Sequence, residues 1–279
     1  MFILFDIGGT KMRIGLSTDG FSLDKTLVID TPITFDAGMT EFKKAAESLM
    51  QGKKIKAVAG GIAGPFSHKV ETLLASPNLK DWVGKPIQTD MEKFFAVPVF
   101  IENDAALVGL GEAMRGGGRG AGIVAYVTVS TGVGGAKIVN GRIDPRSIGF
   151  EPGHEIIDID NTVIPDAVSG TLESYVSGAG LAKRVGKKPK EIDDPKIWDD
   201  LARILAYGLN NVAVFWSPDV IVLGGSMIVG DPAISVEKTQ EYLKKILTIY
   251  PEIPKIKKAE LGDLGGLYGA LELLKQQVI

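Results

Sequence analysis

Three short stretches of this chain gather residue types that could handle a phosphate group and a hydroxyl that attacks it. In Asp6-Ile7-Gly8-Gly9-Thr10-Lys11, two glycines lack the Cβ that would hold backbone N–H groups away from a phosphate, and Thr10 adds a hydroxyl donor. Asp6 beside them would repel a phosphate unless Mg²⁺, held directly or through water, stood between the two, which makes Asp6 a candidate Mg²⁺ residue. Ser130-Thr131-Gly132-Val133-Gly134-Gly135 is a second donor-rich turn, and two such turns facing each other could hold the β- and γ-phosphates of a nucleotide. Neither matches the phosphate loop ending in Gly-Lys-Ser/Thr or the dinucleotide fingerprint. The third stretch, Asn103-Asp104, offers a carboxylate as general base or, equally, a cap for the helix that follows.

Weaker signals lie downstream. Glu151 and His154 flank a Pro152-Gly153 turn and present one acceptor and one amphoteric ring, the mixed set that sugar hydroxyls require, although His154 on its own reads more readily as a surface or structural residue. Val220-Ile221-Val222-Leu223 followed by Gly224-Gly225-Ser226 reads as a buried strand ending in a flexible turn.

These residues need elements to position them. Phe2 to Asp6, Met12 to Ser17 and Lys25 to Thr31 read as strands, the first two joined by the Gly8-Gly9 hairpin. A helix over Gly38 to Met50, strands over Ile55 to Gly61 and Val97 to Glu102, and a helix over Ala105 to Arg115 follow. The glycine run from Arg115 to Gly120 cannot sustain a helix and reads as a connection. Beyond it the pattern restarts, with strands over Gly122 to Ser130 and Val133 to Val139 and a further strand within Gly141 to Asp144, which makes a weak internal repeat. Helices are expected at Leu172 to Val185, Asp194 to Trp216, Pro232 to Leu247 and Gly266 to Gln277. Mixed sheets covered by helices are the expected result.

The length of 279 residues favours two domains, and 45% hydrophobic with 23% charged residues is an ordinary globular composition. A net charge of −3 gives no reason to expect nucleic acid or an anionic membrane as partner. The absence of cysteine excludes disulfides, thiolate nucleophiles, iron–sulfur clusters and cysteine-ligated zinc. The opening Met1-Phe2-Ile3-Leu4-Phe5 lacks the features of a secretory signal, so a cytoplasmic location is expected.

Taken with Gly60-Gly61-Ile62-Ala63-Gly64-Pro65, Ser76-Pro77-Asn78-Leu79 through Trp82, Glu102-Asn103-Asp104-Ala105 and Leu223-Gly224-Gly225, these motifs resemble the ROK family (repressors, open reading frames and sugar kinases) over essentially the whole chain. The resemblance implies an α/β, two-domain actin-like ATPase (ribonuclease H-like) fold with mixed sheets and a cleft between the domains. Residues 1–115, joined by the C-terminal helix 265–279, would form the smaller domain and 116–264 the larger. It implies an ATP-dependent hexokinase with Mg²⁺, acting foremost on glucose, with mannose, fructose or an N-acetylhexosamine as alternative acceptors and a homodimer as the assembly.

On the family pattern Asp104 is the catalytic base, and the sugar is bound by Gly64, Asn78, Asn103, Asp104, Glu151, His154 and Glu173. Nucleotide contacts fall to Asp6, Gly8, Gly9, Thr10, Lys11, Thr131, Gly132, Gly134, Gly224 and Gly225. A first-turn helix acid such as Glu173 is also favoured by the helix dipole alone. Family repressors add an N-terminal helix-turn-helix, whereas Asp6 here already belongs to a phosphate hairpin, so a sugar-binding regulator is the lesser reading. Many relatives carry three cysteines that, with the histidine of the Glu-x-Gly-His motif, bind zinc. Ile164, Asp166 and Thr171 stand there instead, and no zinc is expected.

Overall fold

The structure is a computed structural model that describes residues 1–67, 69–146, 148–162 and 170–278; His68, Ile164 and Asp166 lie outside them. In chain order the elements are β1 (Phe2–Ile7), β2 (Lys11–Ser17), β3 (Lys25–Asp30), α1 (Phe35–Met50), β4 (Ala57–Ile62), β5 (Phe66–Ser67), β6 (Thr72–Leu73), α2 (Ile87–Phe95), β7 (Val99–Asn103) and α3 (Asp104–Arg115). There follow β8 (Ile123–Val129), β9 (Val133–Val139), β10 (Arg142–Ile143), α4 (Leu172–Val176), α5 (Gly178–Val185), α6 (Pro195–Trp216), β11 (Val220–Gly224), α7 (Ser226–Val229), α8 (Val236–Ile246), β12 (Lys255–Lys258) and α9 (Gly265–Gln277).

The chain divides into two compact units, one of Met1–Arg115, Pro145–Gly149 and Leu261–Ile279, the other of Gly116–Asp144 and Phe150–Glu260. Two boundaries differ from those read in the sequence, and both have visible causes. Arg146 forms an ion pair with Glu102, each side chain only 12% exposed, which ties Pro145–Gly149 to the first unit. The return to that unit begins at Leu261 rather than at residue 265, because the Leu261 N–H donates to Oε1 of the buried Glu112 at 2.9 Å.

In the first unit a five-stranded sheet runs β3-β2-β1-β4-β7, with β1 antiparallel to β2 and parallel to β4. β1 and β4 are near-continuous apolar runs because both of their faces are covered. Phe5, Phe42, Trp82 and Met91 pack in one core with them. Here α3 crosses α9 so closely that a Cβ at Gly269 would collide with the Leu107 carbonyl. In the second unit the order is β10-β9-β8-β11-β12, again with β8 antiparallel to its hairpin partner and parallel to β11. Its core gathers Tyr175, Leu205, Ile221 and Leu243 from the sheet and from α4, α6 and α8. Among the described residues no helix is long and apolar enough to cross a membrane.

Several expected elements shift. The helix read over Leu172 to Val185 is broken at Ser177, whose extended backbone (φ −70°, ψ 156°) ends α4 and whose side chain accepts from Gly180 N–H to start α5. Ser-Gly-Ala-Gly has little helix propensity to resist that break. α8 starts at Val236 rather than Pro232, since Ser235 caps it through the Lys238 N–H. α1 starts at Phe35 rather than Gly38, its first N–H satisfied by Asp81 at 2.8 Å from far along the chain. α2 and β12 were not foreseen; β12 is a lysine-rich edge strand in which only Ile256 is buried.

Candidate functional site

The first unit assembles its candidates at the C-terminal ends of two parallel strands. Asp6 is the next-to-last residue of β1, and Asn103 is the last of β7. The Gly8-Gly9-Thr10 turn is closed by Gly8 N–H donating to Lys11 O at 2.9 Å. It is braced by Thr31, whose hydroxyl donates to Gly8 O at 2.7 Å and whose N–H donates to Thr10 O at 2.9 Å. A Cβ on Gly9 would run into the Cβ of Asn78, so only glycine lets Asn78 reach this turn. Two residues read separately in the sequence, one for nucleotide and one for sugar, therefore meet. Lys11 is turned instead to Asp30 at 2.5 Å on an exposed surface.

Asp6 is 15% exposed and lies 3.9 Å from Arg13, which in turn reaches Asp263 at 3.4 Å. Burial pushes its carboxyl up to about 6; Arg13 works against that rise and Asp263 adds to it. The start of α9 comes so near that a Cβ on Gly266 would stand 2.7 Å from the Asp6 carboxyl carbon. Arg13, Asp263 and Gly266 were not read as site residues. The Gly265-Gly266 and Gly269 spacing was the available signal for a close helix approach.

Asn103 and Asp104 both cap α3. Asn103 Oδ1 accepts from Ala106 N–H at 3.0 Å while its Nδ2 donates to Gly64 O at 2.9 Å, and Asp104 Oδ1 accepts from Ala105 N–H at 2.9 Å. Gly64 is held at φ 126°, a conformation that side-chain-bearing residues rarely adopt. The cap and base readings of Asp104 are compatible, since the bond from Ala105 N–H holds the carboxylate in place at the start of α3. Glu102, the residue before, is anchored by Arg146.

In the second unit the candidates gather around the β8–β9 turn. Val133 N–H donates to Glu173 Oε2 at 2.8 Å, and a Cβ on Gly132 would lie 2.6 Å from that same oxygen. Glu173 is thus a brace of the phosphate-type turn through one oxygen, with Oε1 left for a ligand. α5 joins the brace, with Gly178 N–H donating to Ser130 O at 2.7 Å and Ala179 N–H to Thr131 O at 3.2 Å. Glu151 and His154 stand at the two ends of a short 3₁₀ turn closed by His154 N–H to Glu151 O at 3.0 Å. Desolvation by the surrounding chain raises the Glu151 carboxyl, His154 partly offsets this, and Glu173 adds to it. Gly134 pairs with Thr128 across the hairpin, and Gly224 ends β11 in parallel register with the same Thr128. Gly225 follows at φ 86°, and Ser226 meets Ser130 side chain to side chain at 3.1 Å.

Thr171, the last of the three positions where the resemblance implies zinc cysteines, caps α4, accepting from Ser174 N–H at 3.3 Å and sharing a hydrogen bond with the Ser174 hydroxyl at 2.8 Å. That hydroxyl is committed to the helix and does not fit a zinc ligand. Asp158 does the ordering here, accepting from Thr162 N–H at 3.0 Å, from Thr162 Oγ1 at 3.1 Å and from the Tyr175 hydroxyl at 2.9 Å. Glu155, also missed, is packed against α6 beside Asn211; Oε1 is buried without a hydrogen-bond partner, and burial pushes the carboxyl up to about 7.

A family model described as the ROK family matches residues 3–277. A glucokinase of Streptomyces coelicolor is 27% identical over 97% of this chain and 96% of its own length. An N-acetyl-D-glucosamine kinase of Pectobacterium carotovorum is 29% identical over 97% of each chain. The crystal structure of a ROK family glucokinase from Streptomyces griseus in complex with glucose and AMPPNP superposes with a TM-score of 0.81 at 27% identity, covering 99% of both chains. The fold is accordingly the two-domain actin-like ATPase fold.

Proposed function

The chain belongs to the ROK family, and on that premise we propose that it is an ATP-dependent sugar kinase that phosphorylates a hexose, glucose foremost, with Asp104 as general base. The observation that carries this reading is the fixed Asn103-Asp104 pair at the end of β7, in the same sheet as Asp6 and the Gly8-Gly9 turn at the end of β1. Ligands of α/β sheets bind beyond the carboxyl ends of their strands.

In the proposed step a sugar hydroxyl oxygen forms a bond to the terminal phosphorus of ATP, the bond from that phosphorus to the bridging oxygen breaks, and ADP leaves. The hydroxyl proton passes to the Asp104 carboxylate. A base in this place contributes about 10²- to 10⁴-fold, the remainder coming from positioning and charge neutralisation. Asn103 keeps one N–H and one lone pair for the sugar after its bonds to Gly64 and Ala106. Glu151, His154 and the free oxygen of Glu173 supply further hydroxyl partners. The backbone amides of Gly9, Thr131 and Gly132 donate to phosphate oxygens, while the Gly8 N–H stays with Lys11 O and closes the turn.

Mg²⁺ fits Asp6, because this ion commonly takes one carboxylate together with phosphates and waters. It would supply charge neutralisation on the phosphates. Among the described residues no cluster of three or more acidic or histidine side chains forms a closed metal cage. A coupled ADP assay with ATP, Mg²⁺ and glucose, mannose, fructose, N-acetylglucosamine and N-acetylmannosamine tests the reading. ADP release with none of these sugars would overturn it.

An N-acetylhexosamine as preferred acceptor is the second reading, supported by the likeness to the N-acetyl-D-glucosamine kinase. A homodimer completes the proposal; α6 carries Tyr207, Val214 and Phe215 exposed, the last at 79%. Light scattering on the purified protein measures the assembly.

A further inference from the structure

A triphosphate seated on the Gly8-Gly9-Thr10 turn carries more negative charge than one Mg²⁺ offsets, and the turn itself offers only neutral amides and a hydroxyl. Asp6 beside it adds a further carboxyl. Lys11, the cation that the family pattern assigns to the nucleotide, is held by Asp30 at 2.5 Å with both side chains exposed. Phosphoryl transfer is catalysed chiefly by positioning and by neutralising charge, so a cation belongs at this turn.

Arg13 stands ready from β2. It is the cross-strand partner of Asp6, which puts the two side chains on one face of the sheet with Cβ atoms about 5 Å apart. That face is the one α9 covers: a Cβ on Gly15, two residues on from Arg13, would touch Leu267, and Gly266 comes against Asp6. Ile7 and Met12 belong to the opposite face and pack in the core with Phe42. At the turn end of the covered face, Arg13 keeps 21% of its side chain exposed. Its guanidinium is engaged there but not spent. Nη1 lies 3.9 Å from Asp6 and Nη2 3.4 Å from Asp263, both longer than the ~2.7–2.9 Å of a charge-assisted hydrogen bond. The Asp263 side chain is 91% exposed, so water screens that pair and it holds the arginine weakly. Most of the N–H donors, set in a rigid fork, are open to an oxyanion.

We propose that Arg13 is a further nucleotide-binding residue, donating from its guanidinium to the phosphate oxygens seated on the Gly8-Gly9-Thr10 turn while its other edge stays beside Asp6. The cation's part at this turn thus falls to Arg13 rather than Lys11. The assignment deepens the kinase reading and rests on it for the identity of the phosphate compound as ATP. Arg13 touches phosphates and nothing else of the nucleotide, so its effect is confined to ligands that carry them.

Calorimetric titration of the full chain with AMPPNP in the presence of Mg²⁺, and separately with adenosine, tests the assignment, alongside the coupled ADP assay on the wild type. Arg13→Met should weaken AMPPNP by about tenfold or more and leave adenosine unchanged. Arg13→Gln, which keeps a polar side chain but no charge, should do the same, and it carries the test if Arg13→Met fails to fold. AMPPNP affinity equal to that of the wild type, or a loss shared equally by adenosine, would overturn the role of Arg13 while leaving the kinase reading in place. A wild-type protein that binds AMPPNP through Arg13 yet releases ADP with none of the sugars would overturn the kinase reading and leave the phosphate contact standing. No AMPPNP binding by the wild type would overturn both.

Discussion

The two sheets share one plan, β3-β2-β1-β4-β7 and β10-β9-β8-β11-β12, each with an antiparallel hairpin whose first strand pairs in parallel with the strand after a helical crossover. Register puts comparable positions at the strand ends. Asp6 lies across from Gly61 in the first sheet, and Thr128 lies across from Gly224 in the second. Where one unit has a buried acid beside its turn, the other has a hydroxyl. The supports differ as well: the first turn is approached by the amide side chain of Asn78, the second by the carboxylate of Glu173. The backbone plan thus fixes where a turn meets its strand end, and the side chain at that point is a carboxylate in one unit and a hydroxyl in the other.

The sharpest way to break this division of labour is Asp104→Asn. If the chemical step belongs to the first unit, kcat falls by about 10²- to 10⁴-fold while sugar affinity measured by calorimetry is largely kept, because the amide preserves the cap to Ala105 but takes no proton. Glu173→Gln keeps an oxygen for the Val133 N–H, and its expected loss in kcat is far smaller, about tenfold at most. Equal losses in the two variants would dissolve the comparison.

Much of this plan was legible beforehand. The strand–glycine–strand restarts at Phe5 and Val129 follow from local chemistry, as do the Asn103-Asp104 cap and the long helix read over Asp194 to Trp216. What escaped is what long-range contacts decide. Asp81 caps α1 across 46 positions, Arg146 holds Glu102 across 44, and Leu261 finds Glu112 across 149. No window of neighbouring residues contains both members of such a pair. The bond of Glu173 to Val133 escaped for a related reason. A first-turn acid announces a dipole contact, whereas its engagement with the next strand's N–H depends on tertiary packing.

Each unit also holds a carboxyl that burial pushes well above its ordinary range, and the pair Asp6 and Glu155 separates function from cost. Asp6 is pushed to about 6 with Arg13 near it; Glu155 is pushed to about 7 with one oxygen unpaired. For a carboxyl whose folded pKa lies above its unfolded value, the favourable contribution is complete below the unfolded value and is lost as pH rises through the folded one. Glu155→Gln should therefore leave stability unchanged below about pH 4 and raise it above pH 7, by up to about 3 kcal/mol at pH 8, without loss of kcat. Asp6→Asn should show the same sign between about pH 4 and pH 6 but abolish most turnover. Thermal melts across pH with parallel assays measure both, and a Glu155→Gln protein less stable than wild type at pH 8 would contradict the assignment.

The finest distinction concerns the turns themselves. Gly9→Ala sets a methyl against the Cβ of Asn78, an atom that cannot move without its backbone, and the expected cost is about 2 kcal/mol. Gly132→Ala meets only the tip of the Glu173 side chain, 2.6 Å away, which can swing aside at the loss of its bond to Val133, for about 1 kcal/mol. The two penalties should also be relieved differently. Asn78→Gly should recover most of the loss in the Gly9→Ala protein, because it removes the opposing Cβ. In a Glu173→Ala background Gly132→Ala should cost almost nothing, since the bond it breaks is already gone. Double-mutant cycles read by denaturant unfolding resolve both couplings. If Gly132→Ala cost as much with Glu173 absent as with it present, the second turn would be held by its backbone alone, and the contrast between an amide-propped and a carboxylate-propped turn would collapse.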